Sequence, residues 1–353
     1  MQMLRWLLLP FSLLYGLVVY LRNFFYNHGI FKSYTFDLPV ISVGNITVGG
    51  SGKSPATEYL IRLLNSRYRI ATLSRGYGRQ TKGFLEVTTT TPATEGGDEP
   101  VQFKQKFPAI TVAVCEDRVK GIQQLQQNHD VILLDDAYQH RAVKPGLSIL
   151  LFDYNRLHEP QLLLPAGNLR EPRSSKSRAD VIIVTKTPAN LDNNERQEIG
   201  KKIRPLPKQQ LFFSYLQYGN LLSLHDGHNK ALGSIAPQTG IVVLTGIAYA
   251  EPLLKELQRY TSHIRHIRYP DHHTYTTKNI SKLAEIFNAW PYTEKLIITT
   301  EKDSQRLRMP EFKQLLDTLP VYYLPVEARI HQPDEHRFNQ LIELYVRKYR
   351  NNY

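Results

Sequence analysis

The stretch at positions 40–55 constrains the fold of this chain more than any other part of the sequence. It reads VISVGNITVGGSGKSP, an apolar run followed by a glycine-rich segment and by Pro55. Proline suits the first turn of a helix, where its missing N–H costs nothing. Gly49, Gly50 and Gly52 let backbone N–H groups turn inward around phosphate oxygens. The stretch therefore predicts a strand, a phosphate-binding loop and a helix in succession.

The phosphate-binding loop is predicted as one continuous segment. Its residues are Thr47, Val48, Gly49, Gly50, Ser51, Gly52, Lys53 and Ser54. The Lys53 ammonium can reach the outer phosphates of a nucleotide, and the Ser54 hydroxyl can hold Mg²⁺. Thr47 departs from the general pattern, which has glycine at that position. The competing interpretation is a glycine-rich turn between a strand and a helix that binds no ligand.

Length and charge set broad bounds on the chain. Its 353 residues suffice for two domains, and its formal net charge of +12 favours acidic partners. Nucleic acid, anionic lipid and phosphorylated substrates are all acidic partners of this kind. A basic surface that contacts only solvent would also account for the charge. The single cysteine, Cys115, excludes an intrachain disulfide and a multi-cysteine metal site, which fits a reducing compartment.

The N-terminus is apolar and aromatic. Positions 6–21 carry no charge, and Arg5 and Arg22 flank them. The stretch is shorter than the roughly 20 residues that a spanning helix needs, and Pro10 interrupts it. We therefore expect residues 1–27 to form an interfacial helix in a membrane surface. A spanning helix and a buried N-terminal helix are the alternatives, and a signal peptide is disfavoured because no small-residue cleavage site follows.

Strand-like apolar runs alternate with helical segments along the rest of the chain. In the first half the runs lie at 70–73, 109–114, 131–134, 148–152 and 181–184. After a polar, proline-containing stretch the runs lie at 211–216, 241–244, 264–268, 296–299 and 321–324. This alternation predicts an α/β fold with parallel, helix-covered sheets. We place one domain at 28–205 and a second at 206–353, the latter ending in an amphipathic helix.

Carboxylates stand where ligands bind on such sheets, at the carboxyl ends of strands. Asp135 and Asp136 end one strand run, and one of them can hold Mg²⁺ directly or through water. Phosphoryl transfer to a hydroxyl also needs a carboxylate that accepts the proton, for which Asp98 is a candidate. Asp98 ends a polar segment, 88–98, that we interpret as a loop. The alternatives are a solvated turn at the strand end and a turn aspartate bonded to its own backbone.

Two further loops carry candidate polar groups. His272 and His273 are adjacent, and one of them could orient a carboxylate or bind phosphate, unless both are ordinary loop histidines. Glu171 lies between Arg170 and Arg173 at the start of a basic run. Such a run is usually a solvated face, although near a membrane it could also meet an anionic head group.

Several motifs together resemble the tetraacyldisaccharide 4′-kinases, the lipid A 4′-kinase family. They are GNITVGGSGKSP at 44–55, SRGYGR at 74–79, GDEP at 97–100, DDAYQH at 135–140, LREP at 169–172, PDH at 270–272 and TEKD at 300–303. Their order and the apolar N-terminus are also similar. The resemblance therefore spans nearly the whole chain.

The resemblance implies an enzyme of Gram-negative lipid A biosynthesis. Such enzymes transfer the γ-phosphate of ATP, with Mg²⁺, to the 4′-hydroxyl of a tetraacyl-disaccharide 1-phosphate. They have a P-loop NTPase-like domain and a smaller Rossmann-like domain, both α/β/α, with the active site in the cleft between. The implied partners are the lipid substrate and a membrane surface rather than nucleic acid. The implied location is the cytoplasmic face of the inner membrane, with peripheral attachment.

The resemblance also assigns roles to residues. Lys53 and Ser54 would bind ATP phosphates and Mg²⁺. Asp98 would be the base, with His272 as its orienting partner and His273 as the competing choice. The residues that would line the magnesium and substrate site are Asp135, Asp136, Gln139, His140, Arg170 and Glu171.

Two other classes of function compete with the kinase. One is a membrane-attached P-loop GTPase or assembly factor, but its guanine-reading motif has only a loose counterpart in TKTP at 185–188, which lacks the aspartate. The other is a non-catalytic structural membrane protein. Base preference separates the GTPase from the kinase, and loss of ATP binding on replacing Lys53 would exclude the structural protein.

Overall fold

The computed structural model describes residues 6–350, so Arg5, predicted to flank the first helix, lies outside the described residues. The helices in chain order are α1 (Leu9–Asn27), α2 (Lys53–Leu64), α3 (Ala93–Gly96), α4 (Asp98–Lys106), α5 (Arg118–Leu125), α6 (Asn193–Ile203), α7 (Glu251–Leu257), α8 (Thr277–Asn288), α9 (Glu301–Leu307), α10 (Pro310–Leu316) and α11 (Asp334–Arg350). The strands of the first half are β1 (Val40–Asn45), β2 (Ile70–Ser74), β3 (Leu85–Val87), β4 (Thr111–Val114), β5 (Val131–Asp135), β6 (Leu147–Asp153) and β7 (Val181–Thr185). The later strands are β8 (Gln210–Tyr218), β9 (Leu221–Ser223), β10 (Asn229–Lys230), β11 (Gly240–Thr245), β12 (Ile264–Arg268), β13 (Lys295–Thr300), β14 (Val321–Leu324) and β15 (Val326–Ile330).

The strands form two sheets within residues 6–350. The larger has the order β15-β8-β7-β6-β1-β5-β2-β4-β3, and only its two edge strands are antiparallel to their neighbours. The smaller has the order β10-β9-β14-β13-β11-β12, with four parallel strands and an antiparallel pair at one edge. This confirms the predicted α/β class. Strands β2 to β5 lie on one side of β1, and β6 to β8 lie on the other. β1 is therefore the switch point of the strand order, the place where α/β sheets bind ligands.

Helices cover both faces of the larger sheet. Ile41 and Val43 of β1 pack with apolar side chains of α2, α4 and α11. Val40, whose side chain points the other way, packs with those of α5. Because both faces are buried, the central strands read as continuous apolar runs, which is how the sequence revealed them.

The sheet topology does not follow the domain boundary predicted between residues 205 and 206. β8 continues the larger sheet beside β7, and β15 pairs with β8. Phe338 of α11 is buried in the core of that same sheet. The chain therefore leaves the first lobe after β8 and rejoins it at β15, so the prediction that all of 206–353 forms the second unit is wrong. An apolar strand pattern does not say which of two sheets the strand joins.

Helix α1 is present as expected and lies against the first lobe. The Ser12 hydroxyl donates to the Leu163 carbonyl at 3.0 Å, and the Tyr15 hydroxyl donates to the Arg170 carbonyl at 2.9 Å. The opposite face of α1 is exposed and apolar, with Leu13 75% accessible. Among the described residues, the helices all fall short of the length and hydropathy needed to cross a membrane.

Candidate active site

The predicted phosphate-binding loop connects β1 to α2 at the centre of the larger sheet. Gly52 precedes the first helical residue, Lys53, with a left-handed φ of +82° that favours glycine. The Asn45 amide donates to the Ser51 hydroxyl at 2.6 Å inside the loop. The Thr185 hydroxyl donates to the Ser51 carbonyl at 2.8 Å from the end of β7. The loop is thus fixed from within the sheet, with the N-terminus of α2 available to an anion.

Two cations that the sequence did not identify hold the outside of this loop. Arg156 donates to the Val48 carbonyl at 2.6 Å. Lys186 donates to the Gly50 carbonyl and lies 2.8 Å from a carboxylate oxygen of Asp153. Lys186 belongs to the TKTP segment that loosely resembled a guanine-reading motif. Its ammonium binds the loop backbone instead.

Asp135 and Asp136 lie beside the loop because β5 is the parallel neighbour of β1. Asp135 accepts a hydrogen bond from the Thr57 hydroxyl at 3.1 Å. Burial, followed by the charge of Asp136, raises the pKa of Asp135 to about 7. Asp136 lies 3.6 Å from the Lys53 ammonium and 3.1 Å from the Arg170 guanidinium. Burial alone would raise the pKa of Asp136, but these two cations bring it below its usual value.

This donor set fits a magnesium ion carried by a nucleotide. Mg²⁺ in such sites takes one or two carboxylates and completes its coordination with phosphates and waters. Two adjacent carboxylates and the Ser54 hydroxyl provide that kind of set. Residues 6–350 contain no group of three or more His, Cys, Asp and Glu side chains that could hold a metal alone. Burial first, and then the negative charge of Asp136, raise the pKa of Asp135, and a bound cation would offset that charge.

Gln139 and His140 follow the two aspartates. The Gln139 amide donates to the Asn45 carbonyl at 2.7 Å, which ties this segment to the end of β1. The Nε2 atom of His140 is buried and has no hydrogen-bond partner within the part of the chain described here. Burial, together with the charges of Arg118 and Arg75, lowers the pKa of His140 to about 4, so the ring is neutral at neutral pH.

Arg170 and Glu171 point in different directions. Arg170 reaches Asp136, and its backbone N–H donates to the Ile46 carbonyl at 2.7 Å, beside the phosphate-binding loop. Glu171 is fully buried and is paired with Arg178 and, at 2.5 Å, with Arg22 of α1. The resemblance implied that Glu171 is among the residues lining the site. Its contacts in this structure anchor α1 instead.

Asp98 is the first residue of α4, and its segment is not the continuous loop predicted at 88–98. A short helix, α3, ends just before it, and Gly97 joins the two with a φ of +88°. A Cβ at position 97 would lie only 3.0 Å from the Gly76 Cα, so glycine at this position allows the two backbones to approach so closely. The approach sets the start of α4 against the arginine-rich turn at 74–79.

The second lobe brings His272, rather than His273, to Asp98. The His272 Nδ1 lies 2.9 Å from a carboxylate oxygen of Asp98, and the Tyr77 ring lies 5.1 Å from the imidazole. His273 turns away, stacks on the Tyr269 ring at 4.3 Å and contacts the Asn279 side chain. The resemblance-based choice of His272 as the partner of Asp98 agrees with this geometry.

Two cations from α9 complete the contact between the lobes. Arg306 pairs with the Asp98 carboxylate, and Lys302 lies 2.7 Å from the Glu99 carboxylate and 3.3 Å from the His272 Nε2. Burial would raise the pKa of Asp98, but the His272 hydrogen bond and Arg306 hold it well below its usual range. The sequence pointed only indirectly to Arg306, which stands three residues after the TEKD motif and so shares a helix face with Asp303.

An open cavity of about 510 Å³ lies at the arginine-rich turn. It is lined by Arg75, Gly76, Tyr77, Gly78, Arg79, Gln80, Thr81, Lys82 and Glu116. Strand β2, which leads into this turn, is the parallel neighbour of β5, which ends in the paired aspartates. The turn, and the start of α4 packed against it, therefore lie at the same edge of the larger sheet as the aspartates and the phosphate-binding loop.

Comparison with known proteins bears directly on this site. The family model described as LpxK, tetraacyldisaccharide-1-P 4′-kinase, matches residues 4–346. A tetraacyldisaccharide 4′-kinase of Phocaeicola vulgatus is 46% identical over 98% of this chain and 95% of its own length. One from Flavobacterium johnsoniae is 43% identical over 93% of each chain. A crystal structure of LpxK from Aquifex aeolicus in complex with ATP superposes with a TM-score of 0.74 at 29% identity, covering 97% of this chain and 99% of that one.

These matches confirm the resemblance drawn from the motifs and the kinase class, and they do not favour the GTPase alternative. They extend over nearly the full length of both partners, so they include both lobes and every segment of the site. The chain belongs to the tetraacyldisaccharide 4′-kinase family.

Proposed function

We propose that this protein transfers the γ-phosphate of ATP to the 4′-hydroxyl of a tetraacyldisaccharide 1-phosphate, a lipid A precursor. The observation that carries the proposal is the junction of the lobes. There an Asp98–His272 pair contributed by both lobes lies at the edge of the larger sheet that carries the phosphate-binding loop and its adjacent carboxylates. Such a pair suits a hydroxyl acceptor, whose proton needs a base.

In this mechanism each side chain acts on a definite charge or proton. Asp98 accepts the proton of the 4′-hydroxyl as the new oxygen–phosphorus bond forms, and His272 orients the carboxylate. The bond between the γ-phosphorus and the β–γ bridging oxygen of ATP breaks in the same transfer, and ADP leaves. Lys53 and the N-terminus of α2 stabilise the negative charge that develops on the transferred phosphate. Ser54, Asp135 and Asp136 would hold Mg²⁺, which would supply positive charge against the outer phosphates.

The direct test is transfer of label from γ-labelled ATP to tetraacyldisaccharide 1-phosphate in detergent micelles, with and without Mg²⁺. We expect a labelled, bis-phosphorylated lipid that forms only with Mg²⁺ and ATP. Binding of ATP without any transfer would contradict the proposed acceptor. Equal use of GTP would contradict the proposed nucleotide.

We also propose that α1 attaches the enzyme to a membrane surface, on the cytoplasmic face of the inner membrane of a Gram-negative bacterium. Large apolar side chains are exposed on α1 and just before it: Trp6, Leu7, Leu8, Phe11, Leu13, Leu14, Leu17, Val18, Tyr20, Leu21 and Phe24. An apolar patch of this size on a monomer marks an interaction surface. The docked face of α1 carries Ser12 and Tyr15, which bond to the lobe, together with buried Val19, so the opposite, apolar face is the one free to lie in the interface.

Replacing both Leu13 and Leu17 by glutamate is expected to lower binding to anionic lipid vesicles by at least about 10-fold, because each leucine loses its burial in the acyl region. Co-sedimentation with vesicles measures the effect. Leu344→Glu is the matched control, since Leu344 is a leucine exposed on α11, and it should leave vesicle binding unchanged. Unaltered binding of the double variant would remove α1 from the membrane contact.

A further inference from the structure

The Arg306 guanidinium contacts Asp98 as a fork across the junction of the lobes. Its Nε lies 3.2 Å from one carboxylate oxygen, and its second terminal nitrogen donates to the other oxygen. Both side chains are largely buried, with Arg306 8% and Asp98 13% accessible. Such a two-point pair fixes the plane of the carboxylate as well as its charge.

Arg306 is itself immobilised by a buried network in the second lobe. Its other terminal nitrogen donates to the Gly246 carbonyl at 3.0 Å and to the Asp303 carboxylate at 3.1 Å. Asp303 in turn accepts from the Tyr275 hydroxyl at 3.1 Å and from the Thr300 hydroxyl at 2.7 Å. The guanidinium is therefore anchored at one end and presents its remaining N–H groups to Asp98.

The hydrogen bonds leave one side of the carboxylate free. A carboxylate offers roughly four acceptor positions. On Asp98, the oxygen that faces His272 receives both the imidazole contact and an Arg306 N–H. Among residues 6–350, the other oxygen receives only the Arg306 Nε–H. The open acceptor position thus lies on the oxygen that faces away from His272.

We propose that Arg306 is a positioning residue for phosphoryl transfer, which keeps Asp98 ionised and aims its open oxygen at the acceptor hydroxyl. The inference rests on the proposed role of Asp98 as the proton acceptor. His272 and Arg306 then act together, because the imidazole and one Arg306 N–H hold one oxygen. The second oxygen is held by the Arg306 Nε–H and takes the proton at its open position.

The charges around Asp98 agree with this role. The groups closest to Asp98 are His272, Arg306 and Lys302, and the titratable groups that interact with those three are Tyr77, Glu99, Asp271, Tyr275 and Asp303. Asp303 pairs with Arg306, Asp271 stands 3.8 Å from the His272 ring, and Glu99 pairs with Lys302. Arg306 is thus the one cation in this set that bonds to both oxygens of Asp98. Without it, the pKa of a buried carboxyl should rise by about 1–3 pH units.

The test compares Arg306→Gln and Arg306→Lys with the wild type by kcat, KM for ATP and the pH profile of kcat. For Arg306→Gln we expect kcat to fall by about 10²-fold through misplacement of the carboxylate, with KM for ATP unchanged within about 2-fold. The acid limb of its profile should move up by about 1–3 pH units, since Asp98 is then protonated at a higher pH. Arg306→Lys keeps the charge but lacks the fork, so it should restore the acid limb without restoring kcat.

Arg308→Gln is the matched control, because Arg308 is exposed at the end of the same helix, where it stacks on the Tyr323 ring. It should behave as the wild type, and thermal unfolding checks that each variant is folded. A fall in kcat of Arg306→Gln with an unmoved acid limb, or full activity of Arg306→Lys, would overturn the proposal. If Arg306→Gln does not fold, the Arg306→Lys profile decides alone. Full activity of Asp98→Asn would instead refute the role of Asp98 itself.

Discussion

Replacing Asp98 by asparagine is expected to reduce phosphoryl transfer by about 10²–10⁴-fold, the usual contribution of a positioned general base. The amide has nearly the shape of the carboxylate but cannot take up a proton. Its loss leaves Arg306 with the Asp303 carboxylate and the Gly246 carbonyl, so the guanidinium is not left unpaired. The variant should therefore fold, and labelled phosphate transfer to the lipid measures its activity.

A neighbouring carboxylate on the same helix provides the control for Asp98→Asn. Glu99 pairs with Lys302 at 2.7 Å across the same junction but does not contact His272 in this structure. Glu99→Gln should lose less than about 10-fold in activity, because it disturbs one partly exposed ion pair. ATP binding should be equal in both variants. Wild-type turnover by Asp98→Asn would remove this residue from proton transfer.

The sequence predicted the fold class because physical constraints on buried parallel strands are local. Strands such as β5 and β7 are covered on both faces, so each reads as a short continuous apolar run. The assignment of strands to sheets depends on contacts distant along the chain, and the same apolar pattern fits either sheet. For this reason β8 and β15, which follow the supposed boundary, were placed in the wrong lobe.

The candidate site was predictable where short motifs fix local geometry. The glycine-rich loop and the strand-end aspartates fall where the sequence expected them, since β1 and β5 are neighbours. Arg306 could not be identified in the same way, because its role depends on its contact with Asp98, which lies more than two hundred positions away in the sequence. The burial of Glu171 could not be predicted either, because it depends on ion pairs with Arg22 and Arg178 that form only in the folded chain.

The choice between the adjacent histidines also depends on the folded structure, although the two residues are neighbours in the sequence. Sequence alone leaves His272 and His273 equivalent, apart from the resemblance to a family motif. In the structure His272 has a φ of +58°, and this backbone turn sends the two rings in different directions. One ring meets Asp98 and the other stacks on Tyr269. A backbone conformation of this kind is unusual for a residue with a side chain, and no sequence pattern predicts it.

Lys53→Met is expected to lower kcat/KM for ATP by at least about 10²–10³-fold, because it removes a preorganised donor from the developing phosphate charge. The Lys53 ammonium stands 3.6 Å from Asp136, at the first residue of α2. Methionine keeps the unbranched stem, so packing in the helix should persist. Transfer of labelled phosphate at several ATP concentrations gives kcat and KM separately, and ATP binding without lipid gives the affinity directly.

The outcome for Lys53 also tests how charge is balanced beside the paired aspartates. With the ammonium gone, Asp136 retains Arg170, whose guanidinium is 3.1 Å away, so the carboxylate remains paired and the fold should hold. Lys120→Met is the control, since the Lys120 side chain is 75% accessible on α5, and its activity should match the wild type. If Lys53→Met bound ATP and turned over normally, the loop would be a strand-to-helix turn without a phosphate. The nucleotide site would then have to lie elsewhere in the cleft between the lobes.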